Sequence, residues 1–288
     1  MSGPILMDDP SSLIEAVTLV RRRFGAAALR RGGDPLPEPA WVTGVPALDQ
    51  GLGQGGLVRG RLTVLAGARS PVTGRLTLLQ ALAAVASRTM PVVYVDLVGT
   101  LDPGFLADLG ADLDACLVVR PPGGDLAPGL VMGYSLVAAG VPWLAVALPV
   151  HPQPAWRRAE PALAALVATV EGRRAVACVA APAPLAAPLA YASSLTVTCR
   201  SLGWQEEHDD VVGLRVGLEV VKSRVGTPGS QAGVLLRYPR PHGTGEVVGF
   251  PTVVGLPASP DGAGVAATLG PEVTPAVAPG GGPAAAAG

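Results

Sequence analysis

Residues 43–61 read TGVPALDQGLGQGGLVRGR and run directly into RLTVLAG at 61–67. The apolar stretch Arg61–Ala66 predicts a strand, 67–74 a loop and 75–88 a helix. Downstream the alternation repeats. Strands are expected at Val92–Leu97, Cys116–Val119, Trp143–Leu148 and Ala175–Ala180. Helices are expected at Pro103–Leu109, at 126–139, and at 154–171, the last opened by Pro154 and closed by Gly172. Short apolar strands separated by helices predict an α/β fold with a mostly parallel sheet covered on both faces. From 194 onward the pattern becomes strands joined by turns (194–201, 211–222, 231–238), an antiparallel C-terminal extension of the same sheet.

Upstream, residues 32–40 (GGDPLPEPA) read as a linker, and residues 1–40 as a docking helix with that linker. Ser12 and Glu15 form a capping box, and Leu13, Val17, Val20 and Phe24 follow at helical spacing. Arg21, Arg22 and Arg23 suit the negative end of that helix before Gly25 stops it. A helix with one apolar stripe must dock on something, and Ala27–Arg30, with Leu29, reads as a strand-like continuation. The core is expected over 41–257. Residues 258–288 are Ala, Gly and Pro with almost no charge or bulk, and are read as a disordered tail.

Composition removes several function classes. Twenty-one basic and 22 acidic side chains leave a formal charge of −1, which excludes a protein held to nucleic acid mainly by bulk charge. Cys116, Cys178 and Cys199 are odd in number with no CxxC pair, so a reducing, cytoplasmic location is expected rather than a disulfide framework. His151, His208 and His242 are scattered, and no metal site assembles from local spacing. The uncharged stretches 126–150 and 175–199 are long enough to span a bilayer. Internal Pro and Gly split them into buried α/β elements, so no membrane association is expected.

The 43–61 run resembles the start of the RecA recombinase core, matching at Thr43, Gly44, Leu48, Asp49, Leu52, Gly53, Gly55, Gly56, Leu57, Gly60 and Arg61. Residues 21–34 (RRRFGAAALRRGGD) look like the segment by which RecA subunits dock on one another. Residues 92–114 look like the stretch after the first helix, and 218–238 like the late hairpin. The resemblance covers roughly 12–240 in one order. It implies a RecA-like fold of the P-loop NTPase type.

The chemistry departs from the fold. A phosphate loop needs G-x-x-x-x-G-K-[ST], whose amides wrap phosphate while Lys neutralises it and the hydroxyl holds magnesium. Here the degenerate loop runs from Gly67 through Ser70 and Thr73 to Gly74, Arg75 and Leu76. Six residues separate the glycines, Pro71 removes an amide, Arg75 replaces Lys and Leu76 replaces the magnesium ligand. By the resemblance, Val98 stands where the catalytic Glu would be, and Ala147-Leu148-Pro149 lacks the metal-side Asp. No catalytic residue is expected. Nor is a cofactor, with ATP and magnesium entering only if the chain is a divergent working recombinase.

Of the two family DNA loops, the one after Ala180 runs APAPLAAPLAY, without the cations, amides or aromatics that phosphate and bases need before Tyr191. Arg157 and Arg158 lie near the other loop, where they read either as a solvated helix start or as a DNA contact. The family's late-hairpin Lys-x-Lys, which reaches a neighbour's ATP, corresponds to Lys222 and Arg224. Lys222 is also the single lysine of the chain.

These features suggest a catalytically silent RecA-like accessory protein of DNA repair and damage tolerance, similar to the ImuA-type proteins of inducible translesion synthesis. Its expected partners are a RecA filament or a translesion polymerase complex, with single-stranded DNA reached indirectly. The alternatives are an ATP-dependent recombinase that binds single-stranded DNA, and a relic with structural interactions only.

Overall fold

The computed structural model describes residues 10–24, 39–53, 55–68, 72–149, 153–224, 228–237, 240–241, 247–248 and 252–256. Contacts divide the chain into Met1–Pro257 and Ala258–Gly288, and the second unit, including the expected tail, lies outside the described residues.

The first unit opens with α1 (Pro10–Phe24), then β1 (Ala40–Trp41), α2 (Pro46–Gly51) and β2 (Leu57–Val58). The alternating body follows as β3 (Arg61–Gly67), α3 (Arg75–Ser87), β4 (Val92–Asp96), α4 (Pro103–Asp108), β5 (Cys116–Val119) and α5 (Leu126–Ala138). It continues as β6 (Trp143–Ala147), α6 (Gln153–Arg173), β7 (Val176–Ala181) and α7 (Ala183–Ala192). The late strands are β8 (Leu195–Glu207), β9 (Asp210–Ser223), β10 (Gln231–Arg237), β11 (Arg240–Pro241), β12 (Val247–Val248) and β13 (Thr252–Leu256).

Nine strands form one sheet in the order β13-β10-β9-β8-β3-β7-β6-β4-β5. Neighbours from β8 to β5 run parallel, and β8-β9, β9-β10 and β10-β13 run antiparallel. Because strand side chains alternate, Val64 and Ala66 point to one face while Leu65 points to the other. One face carries α2, α3 and α4 through Leu48, Leu79 and Leu106, and the other carries α5, α6 and α7 through Leu130, Leu166 and Leu189. The result is the mostly parallel, two-sided α/β sheet that the pattern predicts.

Three local readings are corrected. Helix α1 starts at Pro10, so Ser12 lies inside its first turn rather than capping it; Pro is well suited to a first helical position. The segment after β7, read as a loop, is the ten-residue helix α7, with Pro184 tolerated near its start. The β8-β9 hairpin extends past the expected strand ends to a turn at His208-Asp209, both at positive φ (54° and 66°). That is the two-residue geometry that strand twist favours, reached here without glycine.

The 43–61 run earns its glycines structurally. Asp49 folds back so that one carboxylate oxygen accepts from the Thr43 amide (2.9 Å) and hydroxyl (2.7 Å). Gly56, at φ +142°, lies so close to the Trp41 carbonyl that a Cβ would approach its oxygen to 2.1 Å. Both features pin the β1-β2 ribbon ahead of β3.

Candidate functional site

In an open parallel sheet ligands bind beyond the C-terminal strand ends, where the 67–74 loop leaves β3. Residues 69–71, including Ser70 and Pro71, lie outside the described residues. The rest of the loop is defined. Gly74 caps α3 at φ +69°, and a Cβ there would come within 2.6 Å of Val216 and 2.9 Å of Leu236. The glycine thus lets the helix start against β9 and β10.

Arg75 turns back over the loop. Its Cδ and Nη1 lie 3.3 Å from where a Gly67 Cβ would stand, and Nη1 donates to the Thr73 hydroxyl at 3.0 Å. Thr73 is buried, and the Arg75 Nε is buried without a hydrogen-bond partner. Burial therefore pulls the Arg75 guanidinium below its ordinary pKa, partly offset by the neighbouring Cys199. The structure brings Gly67, Thr73, Gly74 and Arg75 together. They form a cradle covered by the protein's own guanidinium, with Thr73 already spent on it.

At the end of β4, Asp96 is buried and fully engaged. Its carboxylate accepts from the amides of Gly99 (2.9 Å), Thr100 (3.3 Å) and Leu101 (3.0 Å), and from Arg120 Nε at 3.0 Å. Arg120 also donates to the Leu101 carbonyl. The pair clamps the loop after β4 to the end of β5, and the sequence reading did not identify it. Its partners are 24 residues apart, so no local spacing points to it. Nearby, burial raises the Tyr94 phenol well above its ordinary value against the opposing effect of a hydrogen bond with Gln80.

The two hairpin cations meet α7. Lys222 Nζ donates to the Ala190 carbonyl and, at 2.6 Å, to the Ser193 carbonyl, while Arg224 donates to the Tyr191 carbonyl at 3.0 Å. Cations at a helix C-terminus satisfy its open carbonyls and its dipole. Burial, then the charge of Arg224, lowers the Lys222 pKa.

The remaining expected residues are spread out. Leu13 is 56 % exposed on α1, with Val17 and Val20 only half-buried. The Phe24 side chain and Leu29 lie outside the described residues. Arg157 and Arg158 are exposed on α6. Among the described residues no group of His, Cys, Asp and Glu is placed to hold a metal ion. Nor is any described helix long and apolar enough to cross a membrane.

Residues 11–142 match the family model of the RecA N-terminal domain. The chain is 38 % identical over 127 residues to the Protein RecA of Streptomyces venezuelae, covering 43 % of this chain and 33 % of that one. It is 36 % identical over 140 residues to the Protein RecA of Leifsonia xyli subsp. xyli, covering 48 % and 38 %. The matched part is therefore only about a third of the length of these curated relatives. In fold it is similar to the RadB recombinase (TM-score 0.53, 16 % identity, 67 % of this chain and 94 % of that one). It is also similar to a KaiC-like protein from Pyrococcus horikoshii OT3 (TM-score 0.53, 17 % identity, 77 % and 100 %). Over residues 11–142 the chain is thus related to the RecA N-terminal domain in sequence, and its fold is RecA-like.

Proposed function

We propose that the protein is a non-hydrolysing RecA-family accessory factor of DNA repair and damage tolerance, acting by docking on a RecA filament or a translesion polymerase complex. The observation that supports it most is the self-occupied cradle. Phosphoryl transfer depends on a cation and a metal held around the phosphates and on a carboxylate or amide that positions water. Here the cation is turned inward on Thr73, Leu76 offers no metal ligand, and Asp96 is consumed by three amides and Arg120. A nucleotide would have to displace a half-buried guanidinium from its own loop.

The exposed apolar residues of α1 support a docking role, since an amphipathic helix gains stability by burying its stripe. In a RecA-type filament each ATP lies between two subunits. This chain would use Lys222 and Arg224 to complete the site of a terminal RecA subunit while offering none of its own, capping one end. The two cations would then exchange the α7 carbonyls for phosphate oxygens, a stronger charge-assisted contact.

The test is binding to RecA filaments assembled with a non-hydrolysable ATP analogue, comparing wild type with Lys222→Ala/Arg224→Ala, alongside an ATPase assay with and without single-stranded DNA. Nucleotide-dependent binding that weakens with salt and is lost in the double variant is expected, with no magnesium-dependent turnover. Equal binding by both proteins would remove the capping role. Turnover abolished by Arg75→Ala would instead favour the divergent recombinase that binds ATP and single-stranded DNA.

A further inference from the structure

At the opposite end of the sheet from the 67–74 loop, a shallow depression of about 410 Å³ is lined by Arg59, Gly60, Arg61, Glu171, Gly172 and Arg174. It lies at the start of β3, about 20 Å along that strand from the loop at its end. We infer that this depression is a binding site for phosphate groups, separate from the nucleotide cradle.

Three guanidiniums converge from three places: the β2-β3 turn, the first residue of β3 and the turn after α6. The lining holds one carboxylate, Glu171, and Arg61 already pairs with it at 3.1 Å. Among the described residues the Arg59 and Arg174 guanidiniums have neither an ion pair nor a hydrogen bond, so the depression keeps a net positive charge facing solvent. Gly60 supports the turn through its φ of +75°, a backbone conformation that L side chains rarely adopt. The Gly60 amide donates to Ala175 at 2.7 Å, which locks the β2-β3 turn to the end of α6.

Arg174 carries the argument further. It has φ +53° at the position just after α6, where helices commonly end on glycine because an L side chain is strained there. The helix dipole accounts for a cation near this terminus, but Arg173 already supplies one in the last helical turn. The dipole does not account for Arg59, which approaches from another element. The Glu171 and Val170 carbonyls that would repel an anion accept from the Arg174 and Ala175 amides. Guanidinium forks match phosphate oxygens, and with no aromatic or amide side chain in the lining the site reads phosphate rather than base. That chemistry is offered by a free phosphorylated small molecule or by the backbone of single-stranded nucleic acid.

The full-length protein is titrated with pyrophosphate and, separately, with a fluorescent oligothymidylate, using wild type, Arg59→Ala, Arg174→Gly and Arg75→Ala. Each of the two depression variants is expected to weaken binding about tenfold, the loss of one charge-assisted contact, whereas Arg75→Ala, which can only uncover the cradle, does not weaken it. Arg174→Gly relieves the left-handed strain, so its Tm should rise by about 2–4 °C even as binding falls, which separates site damage from unfolding. Binding of the oligonucleotide that pyrophosphate competes away assigns the site to a nucleic-acid backbone; binding of pyrophosphate alone assigns it to a small phosphorylated ligand. The inference is overturned by wild-type affinity in both depression variants, by loss of binding only in Arg75→Ala, or by equally tight binding of polyglutamate. It does not depend on the docking role, because filament binding plays no part in the readout.

Discussion

At the scale of single residues, buried polar groups hold the local structure in place. Thr43 and Asp49 satisfy each other six residues apart, so cutting either leaves a buried group without its partner. Asp49→Ala should cost about 1–3 kcal/mol in urea unfolding, and Asp49→Asn less, because its amide oxygen can still accept from Thr43. The thiols report burial in another way. Burial pushes Cys199 up to about 12 and raises Cys178 as well, against an ordinary value of 9.0. Above pH 9 the unfolded chain loses thiol protons that the folded chain keeps. Stability should therefore fall as pH rises from about 9 towards 12, by up to ~1.4 kcal/mol per pH unit for each thiol. Denaturant melts between pH 8 and 10 would show this slope, and Cys199→Val should reduce it.

At the scale of elements, two helices carry the contrast between packing and partnership. With Leu13, Ile14 and Leu19 all more than half exposed, α1 contributes little to the core, and Leu13, Val17 and Val20 leave its expected stripe open. Deleting residues 1–34 should shift stability by no more than about 0.5 kcal/mol while abolishing self- or partner association, read by light scattering and thermal melting. A large loss of Tm with association intact would place the helix on its own core instead. Helix α7 is the opposite case: Leu185 and Leu189 are buried, and its last carbonyls are held by Lys222 and Arg224. Lys222→Ala should destabilise by about 1 kcal/mol, a modest figure because the lysine is only part-buried. A loss of filament binding much larger than this, at a temperature where the variant stays folded, would mark a role in trans.

At the scale of the whole molecule, the core is two layers sharing one sheet, and the N-terminal ribbon is tied to it by aromatic packing. Trp41 meets Trp143 edge-to-face with centroids 5.7 Å apart, both rings buried. Such a pair contributes beyond the area it removes from water. Trp41→Ala should cost about 3–5 kcal/mol and diminish the near-ultraviolet circular dichroism of the buried pair.

Much of this architecture follows from the order of residues alone. Period-two and period-3.6 patterns are local, so β3, β4, β5 and β6 and the helices between them were legible, as was the glycine-rich lead-in at 43–61. The departures from the phosphate-loop pattern were equally plain, because they are a matter of which residues stand at fixed spacing: Arg75, Leu76 and six residues between the glycines. Helix α7 was not legible, because its prolines argue against a helix that burial of Leu185 and Leu189 then stabilises. Nor was the far reach of the β8-β9 hairpin, whose polar ends are ordered by cross-strand pairing. Tertiary structure alone decided that Arg75 lies on Thr73, that Asp96 belongs to Arg120, that Lys222 and Arg224 cap α7, and that Arg59, Arg61 and Arg174 share one depression. Guanidinium and ammonium groups sit at the ends of long flexible stems, so their partners are chosen by whatever the folded sheet brings within reach rather than by their neighbours along the chain.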